Sequence, residues 1–364
     1  MKAVIGAGPA GSYFASLAGD CELFEEHREI GKPVACTGIM TKAIFDLVKL
    51  DDDVVLNTLR RVRVFGLREE LVIPLRQREI VVDRAKLDQF LVRKAEDGGV
   101  RLRMGHRFLG MKNGKLVFRV GDLVQRYDAD IVVGADGPGS LVGMGVGLLR
   151  GRKYWVGKQY RVKMRNDAEE FSVFFGEIPD FFGWVVPEDE EYARVGIASE
   201  KFSAGYFEML VKRLGLRKED FVECQSGIIP RYDGRRASKG NVYLLGDAAG
   251  HVKATTGGGI VYGMRGARCL ANALRKGDDY ERAWRKEFGR ELWFHLQIRK
   301  FLNTLDAEDY DGLLKRLQRV AIGEYNRDYP FRKMGILMQP GLLWWGLSHV
   351  VKHTCILRSS SHNL

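Results

Sequence analysis

The stretch "AVIGAGPAGSYFASLA" at residues 3–18 limits what this chain can fold into more than any other feature. An apolar run that reads as a strand meets Gly6, Gly8 and Gly11 in a G-x-G-x-x-G turn and continues as a helix. "CELFEE" then follows as a second strand ending in acid. That order predicts a βαβ unit that binds a dinucleotide. Gly6 permits the tight turn, Gly8 lets the backbone approach a pyrophosphate, and Gly11 allows the helix to pack closely. The helix N-terminus stabilises the phosphates. Glu25 stands where a carboxylate takes ribose hydroxyls, only 14 residues beyond Gly11, with Glu26 as the rival ligand. Gly6, Gly8, Ala10, Gly11 and Glu25 form the first candidate cofactor-binding set.

The rest of the chain alternates between two kinds of pattern. Short β-like runs fill residues 51–83, a helix opens at "RAKLDQFLVRKAEDG", and a small antiparallel meander follows with a turn at Asn113-Gly114. "ADIVVGADGPGS" reads as a buried strand ending in a glycine loop, so the dinucleotide unit is interrupted and resumed. Residues 154–200 read as antiparallel strands, with "FFGWVVP" apolar on both faces. After the strand "NVYLLGDAAG" the chain is helical, with an amphipathic piece around Trp284, Phe288, Leu292, His295, Leu296 and Arg299. The 43 glycines gather at 6–11, 134–151 and 246–266, which points to loops that approach a ligand. The sharpest of these is "DAAGHVKATTGGGI" at 247–260. His251, directly after its turn, reads as a helix-opening surface histidine.

Composition narrows the class. With 45% hydrophobic and 29% charged residues over 364 positions, the chain suits two interleaved domains and neither a disordered nor a collagen-like protein. Five cysteines, odd in number and without a C-x-x-C pair, argue against a disulfide framework or a zinc site. A reducing cytoplasm is therefore expected, and no metal. The opening "MKAVIGAGPAG" leads straight into a strand, so no signal peptide is expected. The net charge of +11 suits an anionic partner or a solvated basic surface. No nucleic-acid-binding pattern accompanies it. "MGILMQPGLLWWGLSHVV" (334–351), flanked by Arg332, Lys333, Lys352 and His353, is too broken to span a bilayer but suits an interfacial segment at an anionic membrane, or a packed C-terminal helix.

Three ligand-facing loops, GAGPAG, GADG at 134–137 and GDAAG at 246–250, come in an order similar to that of flavoproteins with the p-hydroxybenzoate hydroxylase fold. That resemblance implies an α/β protein in which a glutathione-reductase-type, Rossmann-like FAD-binding domain (1–50, 84–150, 236–275) is interleaved with an antiparallel β-sheet substrate domain (51–83, 151–235). A helical C-terminal region (276–364) follows. It also implies that Asp247 binds the ribityl or pyrophosphate part of FAD. "EEHREIGKPVACTGI" and "FFGWVVP" resemble, more narrowly, the geranylgeranyl reductase family. On that match Cys36, Thr37 and Ile39 border the flavin, Arg84 lies near it, and Gly258, Gly259 and Ile260 meet the ring. Phe182, Trp184 and Pro187 then wall an isoprenoid pocket.

The activity that the resemblance implies is FAD-dependent reduction of isolated C=C bonds in geranylgeranyl chains of archaeal-type ether lipids. An unactivated alkene has no carbonyl to polarise, so it needs a matched proton donor in a dry pocket, and Cys36 or a water beside it is the candidate. Electrons would come from a ferredoxin-like protein or NAD(P)H, and the enzyme would sit peripherally on the inner membrane face. Two other readings share these motifs. One is a flavin monooxygenase or halogenase, in which the Cys36 loop is generally lacking. The other is a non-catalytic flavin-binding protein at a membrane. A bulky residue at Gly258 is expected to yield folded but flavin-poor protein.

Overall fold

The computed structural model describes residues 1–319. The 334–351 segment lies outside those residues. A six-stranded sheet carries the N-terminal motif. Its order is Ser238–Lys239, Val242–Leu244, Ile131–Gly134, Lys2–Ile5, Cys21–Phe24, Arg101–Arg103. All pairings but that of Ser238–Lys239 are parallel. Ala3, Val4 and Ile5 are buried at its centre, which explains why this strand reads as continuously apolar. Ligands of such sheets bind beyond the carboxyl ends of the strands. The residues standing there are Gly6, Glu25, Ala135 and Leu245, each immediately after a strand.

The glycine turn is built as its spacing predicts. Gly6 has φ +99°, and a Cβ on it would lie 2.4 Å from the Ala135 carbonyl oxygen. A Cβ on Gly11 would lie 2.0 Å from the Gly6 carbonyl oxygen. Helix Pro9–Ala18 starts with proline in its first turn and packs on helix Ile260–Lys276. Ala10 lies between the two, facing Gly246 and Gly263.

The second sheet has eight strands in the order Phe221–Pro230, Tyr154–Lys163, Tyr192–Ser199, Phe182–Pro187, Glu170–Phe174, Val55–Phe65, Glu70–Val82, Ile39–Met40. It is antiparallel except where Glu170–Phe174 runs parallel to Val55–Phe65. The short runs expected over 51–83 are in fact two long strands with bulges. Strand Phe182–Pro187 is buried on both faces, as its unbroken apolar sequence predicts. Phe182, Trp184 and Val186 join Trp155 and Phe171 in one cluster, while Val185 joins Phe207 and Leu210 of helix Ala204–Leu214 in another.

The meander His106–Lys112, Lys115–Val120, Leu123–Tyr127 forms a separate three-stranded sheet. Its turn has φ +53° at Asn113 and +75° at Gly114, the left-handed pair that an Asn-Gly hairpin requires. Beyond helix Ile260–Lys276 come Tyr280–Trp284, a π-helical turn Arg285–Gly289 and helix Arg290–Leu302. They bury Trp284, Phe288 and Leu292. Among the described residues no helix is long and apolar enough to cross a membrane.

Candidate functional site

Two cavities meet at Ala35 and Arg84, which line both. The first, about 490 Å³, lies at the carboxyl end of the six-stranded sheet and is lined by Gly6, Gly8, Glu25, Glu26, Arg107 and Asp136 among others. Gly8 has open space where a Cβ would be, so its backbone is bare to a ligand. Glu25 is held in place by the Ala7 N–H (3.0 Å) and by His27, whose N–H and Nδ1 lie 2.9 and 2.6 Å away. Its side chain is 12% exposed against 51% for Glu26, which instead pairs loosely with Arg107 at 3.6 Å. Gly11 and Ala10 line neither cavity and serve the packing beneath the turn. Arg107 and Asp136 escaped the sequence reading, because the meander and the GADG loop announce a loop but not which side chains turn inward.

The second cavity, about 410 Å³, runs along one face of the eight-stranded sheet. Cys36, Thr37, Ile39, Arg84 and Asp247 line it with Gly257, Gly259 and Ile260, and so do Phe182, Trp184 and Val186. Pro187 does not line it. Side chains alternate along a strand, so Val186 takes the wall position and the Pro187 carbonyl accepts from Asn57. Gly258 does not line it either, since its missing Cβ faces Lys253 Cε at 3.2 Å and Thr256 Oγ1 at 3.3 Å.

The Cys36 loop is held from several sides. Arg194, buried and paired with Glu188 at 2.7 Å, donates to the carbonyls of Cys36 (3.1 Å) and Thr37 (2.9 Å). The Gly38 N–H donates to Cys36 Sγ at 3.3 Å. Arg84 donates to Asp88 at 3.0 and 3.1 Å. Burial disfavours its charge, but Asp88 and Cys36, by charge and by hydrogen bonds, outweigh that and hold it protonated. Its Nε is buried without a partner.

Asp247 sits at the start of the short helix Gly246–Ala249, whose carbonyls Arg152 holds at 3.3 Å (Asp247) and 2.7 Å (Ala248). Burial pushes its carboxyl up to about 6 against the lowering pull of Arg84 and Arg152. Helix Ile260–Lys276 begins at this cavity with no side-chain cap at Gly259. Its first N–H groups and its dipole therefore favour negative charge on a ligand there.

His251 corrects the sequence reading. It is fully buried, tilted against Trp284 (4.8 Å between ring centroids) and edge-on to Phe288 (5.1 Å), with both ring nitrogens unpartnered. Burial, helped by Arg152 and Arg285, pulls it down to about 3 from 6.5. The unfolded chain therefore takes up a proton that the folded one refuses, and stability falls as pH drops from 6.5 towards 3. The slope from this residue alone is about 1.4 kcal/mol per pH unit. His251→Leu is expected to flatten that acid limb in urea titrations at pH 4–6.5, where an unchanged slope contradicts it.

Comparisons with known proteins match this geometry. Residues 185–327 fit a family model described as lycopene cyclase protein. The chain is 28% identical to a digeranylgeranylglycerophospholipid reductase of Methanothrix thermoacetophila, over 96% of this chain and 98% of that one. A geranylgeranyl bacteriochlorophyll reductase-like protein of Thermoplasma acidophilum superposes with a TM-score of 0.83 at 22% identity, covering 93% of this chain and 96% of the other. A flavin-dependent halogenase superposes with a TM-score of 0.67 at 16% identity, over 91% of this chain and 66% of the other. The resemblance to geranylgeranyl reductases carried by the motifs thus extends over nearly the whole chain, and its fold is the glutathione-reductase-type FAD-binding fold of flavin-dependent oxidoreductases.

Proposed function

We propose that the protein is an FAD-dependent reductase that saturates isolated double bonds in geranylgeranyl chains of archaeal-type ether lipids. The observation that carries this reading is a largely aromatic- and aliphatic-lined cavity that shares Arg84 and Ala35 with a dinucleotide cradle. The two cavities together suit FAD: bare glycine backbone at Gly8 and a fixed carboxylate at Glu25 in the first, and an uncapped helix start beside Asp247 in the second. In this reading the segments 1–50, 84–150 and 236–275 hold the cofactor, and 51–83 with 151–235 shape the substrate space.

A reduced flavin held there would supply hydride chemistry to one alkene carbon, and the other carbon would need a proton from the protein. Cys36 is the donor we assign. The Gly38 N–H donates to its Sγ, and Arg84 lines the same cavity. Val62, Val64, Ile73, Phe171 and Val173 line the cavity with hydrocarbon and exclude water from the exposed alkene. Electrons enter from a ferredoxin-like protein or NAD(P)H. The +11 charge and the 334–351 segment serve docking on an anionic membrane surface.

The test is to purify the protein, record a flavin spectrum, and incubate it reduced and anaerobic with geranylgeranyl lipid. A gain of two mass units per bond is expected, and an oxygen-dependent mass gain would instead make it a monooxygenase. Cys36→Ser is expected to keep its flavin and lose at least about 100-fold in reduction rate, the order of a general-acid contribution. Unchanged turnover removes Cys36 from the chemistry.

A further inference from the structure

Across the floor of the second cavity runs a polar chain that its apolar surroundings do not require. Thr37 Oγ1 lies 3.0 Å from Gln159 Oε1, and Trp184 Nε1 lies 3.1 Å from the same oxygen. Gln159 Nε2 lies 2.6 Å from Gln225 Oε1, and Gln225 Nε2 lies 3.1 Å from Glu223 Oε1. Gln159 and Gln225 are opposite each other on neighbouring strands, both buried.

The direction of every bond in this chain is forced from its two ends. An indole N–H only donates, so the Gln159 atom facing Trp184 must be the oxygen. A carboxylate only accepts, so the Gln225 atom facing Glu223 must be the nitrogen. Gln159 therefore spends its amide hydrogen on Gln225, and the Thr37 hydroxyl can only donate to the Gln159 oxygen. Its proton is committed away from the cavity that Thr37 lines, and its lone pairs are what it offers there. Arg194 fixes the Thr37 carbonyl at 2.9 Å and so holds the backbone that carries this side chain.

We propose that Gln159, oriented by the Trp184 indole, is a positioning residue that makes the Thr37 hydroxyl an acceptor for the N–H that a flavin ring gains on two-electron reduction. The proposal rests on the FAD reading above and adds to it a reason for the reduced cofactor to be favoured. An acceptor that bonds a group present only in the reduced ring raises its midpoint potential.

The experiment measures that potential against a reference dye in wild type, Thr37→Val, Thr37→Ser, Gln159→Leu and the Thr37→Val/Gln159→Leu double variant. Thr37→Val keeps the side-chain shape without the hydroxyl. It is expected to lose at least tenfold of the preference for reduced flavin, a shift of about 30 mV to more negative potential. Thr37→Ser retains the hydroxyl and stays near wild type. Gln159→Leu removes the acceptor that claims the Thr37 proton and leaves the hydroxyl free to donate into the cavity, so it shifts the potential in the same direction, and that shift vanishes in the Thr37→Val background. An unmoved potential in Thr37→Val, or additive shifts in the double variant, overturns the proposal while leaving the FAD reading intact. Wild-type protein that takes up no FAD overturns both.

Discussion

Gly259→Val is expected to fold and to lose at least tenfold in flavin content relative to wild type. A Cβ at this position would stand 2.7 Å from Asp247 Oδ1 and 3.0 Å from Val252 Cγ2, so the carboxylate that faces the cavity has to move. Gly259 itself carries no left-handed φ, its value being −113°, so the loss comes from that overlap and not from backbone strain. Gly258→Ala is the contrast. Its Cβ meets the far end of the flexible Lys253 side chain at 3.2 Å, which can give way. The prediction first drawn for Gly258 thus moves one residue along. Visible spectra of the two purified variants decide it, and equal flavin retention would count against the overlap.

Arg299→Ala is expected to cost about 3–5 kcal/mol of stability, the range for truncating a large buried side chain that also satisfies buried carbonyls. Arg299 is fully buried in helix Arg290–Leu302 and donates to the carbonyls of Ala254 (2.9 Å) and Thr255 (2.8 Å). Its guanidinium lies 4.8 Å from the Phe181 ring centroid and 5.7 Å from that of Phe182. Burial pulls it down to about 10, which leaves it charged at neutral pH. Arg299→Met fills the space without the hydrogen bonds and should recover part of the loss. Urea midpoints give both values, and an Arg299→Ala cost under about 1 kcal/mol would mean that the site collapses around the deletion. Because Ala254 and Thr255 lead into Gly257–Gly259, flavin affinity is expected to fall alongside stability.

Local features of this fold were legible in the sequence, and non-local ones were not. The strand, glycine turn and helix of residues 2–18 follow from spacing alone, as does the Asn113-Gly114 hairpin, because each is decided within a few residues. The order of the eight-stranded sheet was out of reach. Val55–Phe65 pairs with Glu170–Phe174, more than a hundred residues on, and no local pattern encodes that partner. The same holds inside the site. Cys36, Thr37, Arg84, Asp247, Phe182 and Trp184 were named from motifs and stand around one cavity. Gln159 and Gln225 were not, and Arg299 stood out only for its helical spacing, since their meaning comes from what faces them. His251 reads as exposed because a histidine after a turn usually is. Its burial is made by Trp284 and Phe288, which arrive more than thirty residues later.

The parallel sheet that carries the glycine turn has a further consequence, in the order of events at the ribosome. Its central strand begins at residue 2, yet the strand that covers the free side of Ile131–Gly134 ends at residue 244. At about 5–20 residues per second, some 10–50 s separate the emergence of the two. Through that interval the nascent chain holds an apolar parallel edge open, the kind of surface that recruits a wrong partner. Asp247 and the helix starting at Ile260 emerge later still, so the second cavity is completed only after the glycine cradle has been made. Closure around the second cavity is then a late act of biogenesis, and a chain cut short before residue 244 is left with a glycine cradle and a bare sheet edge.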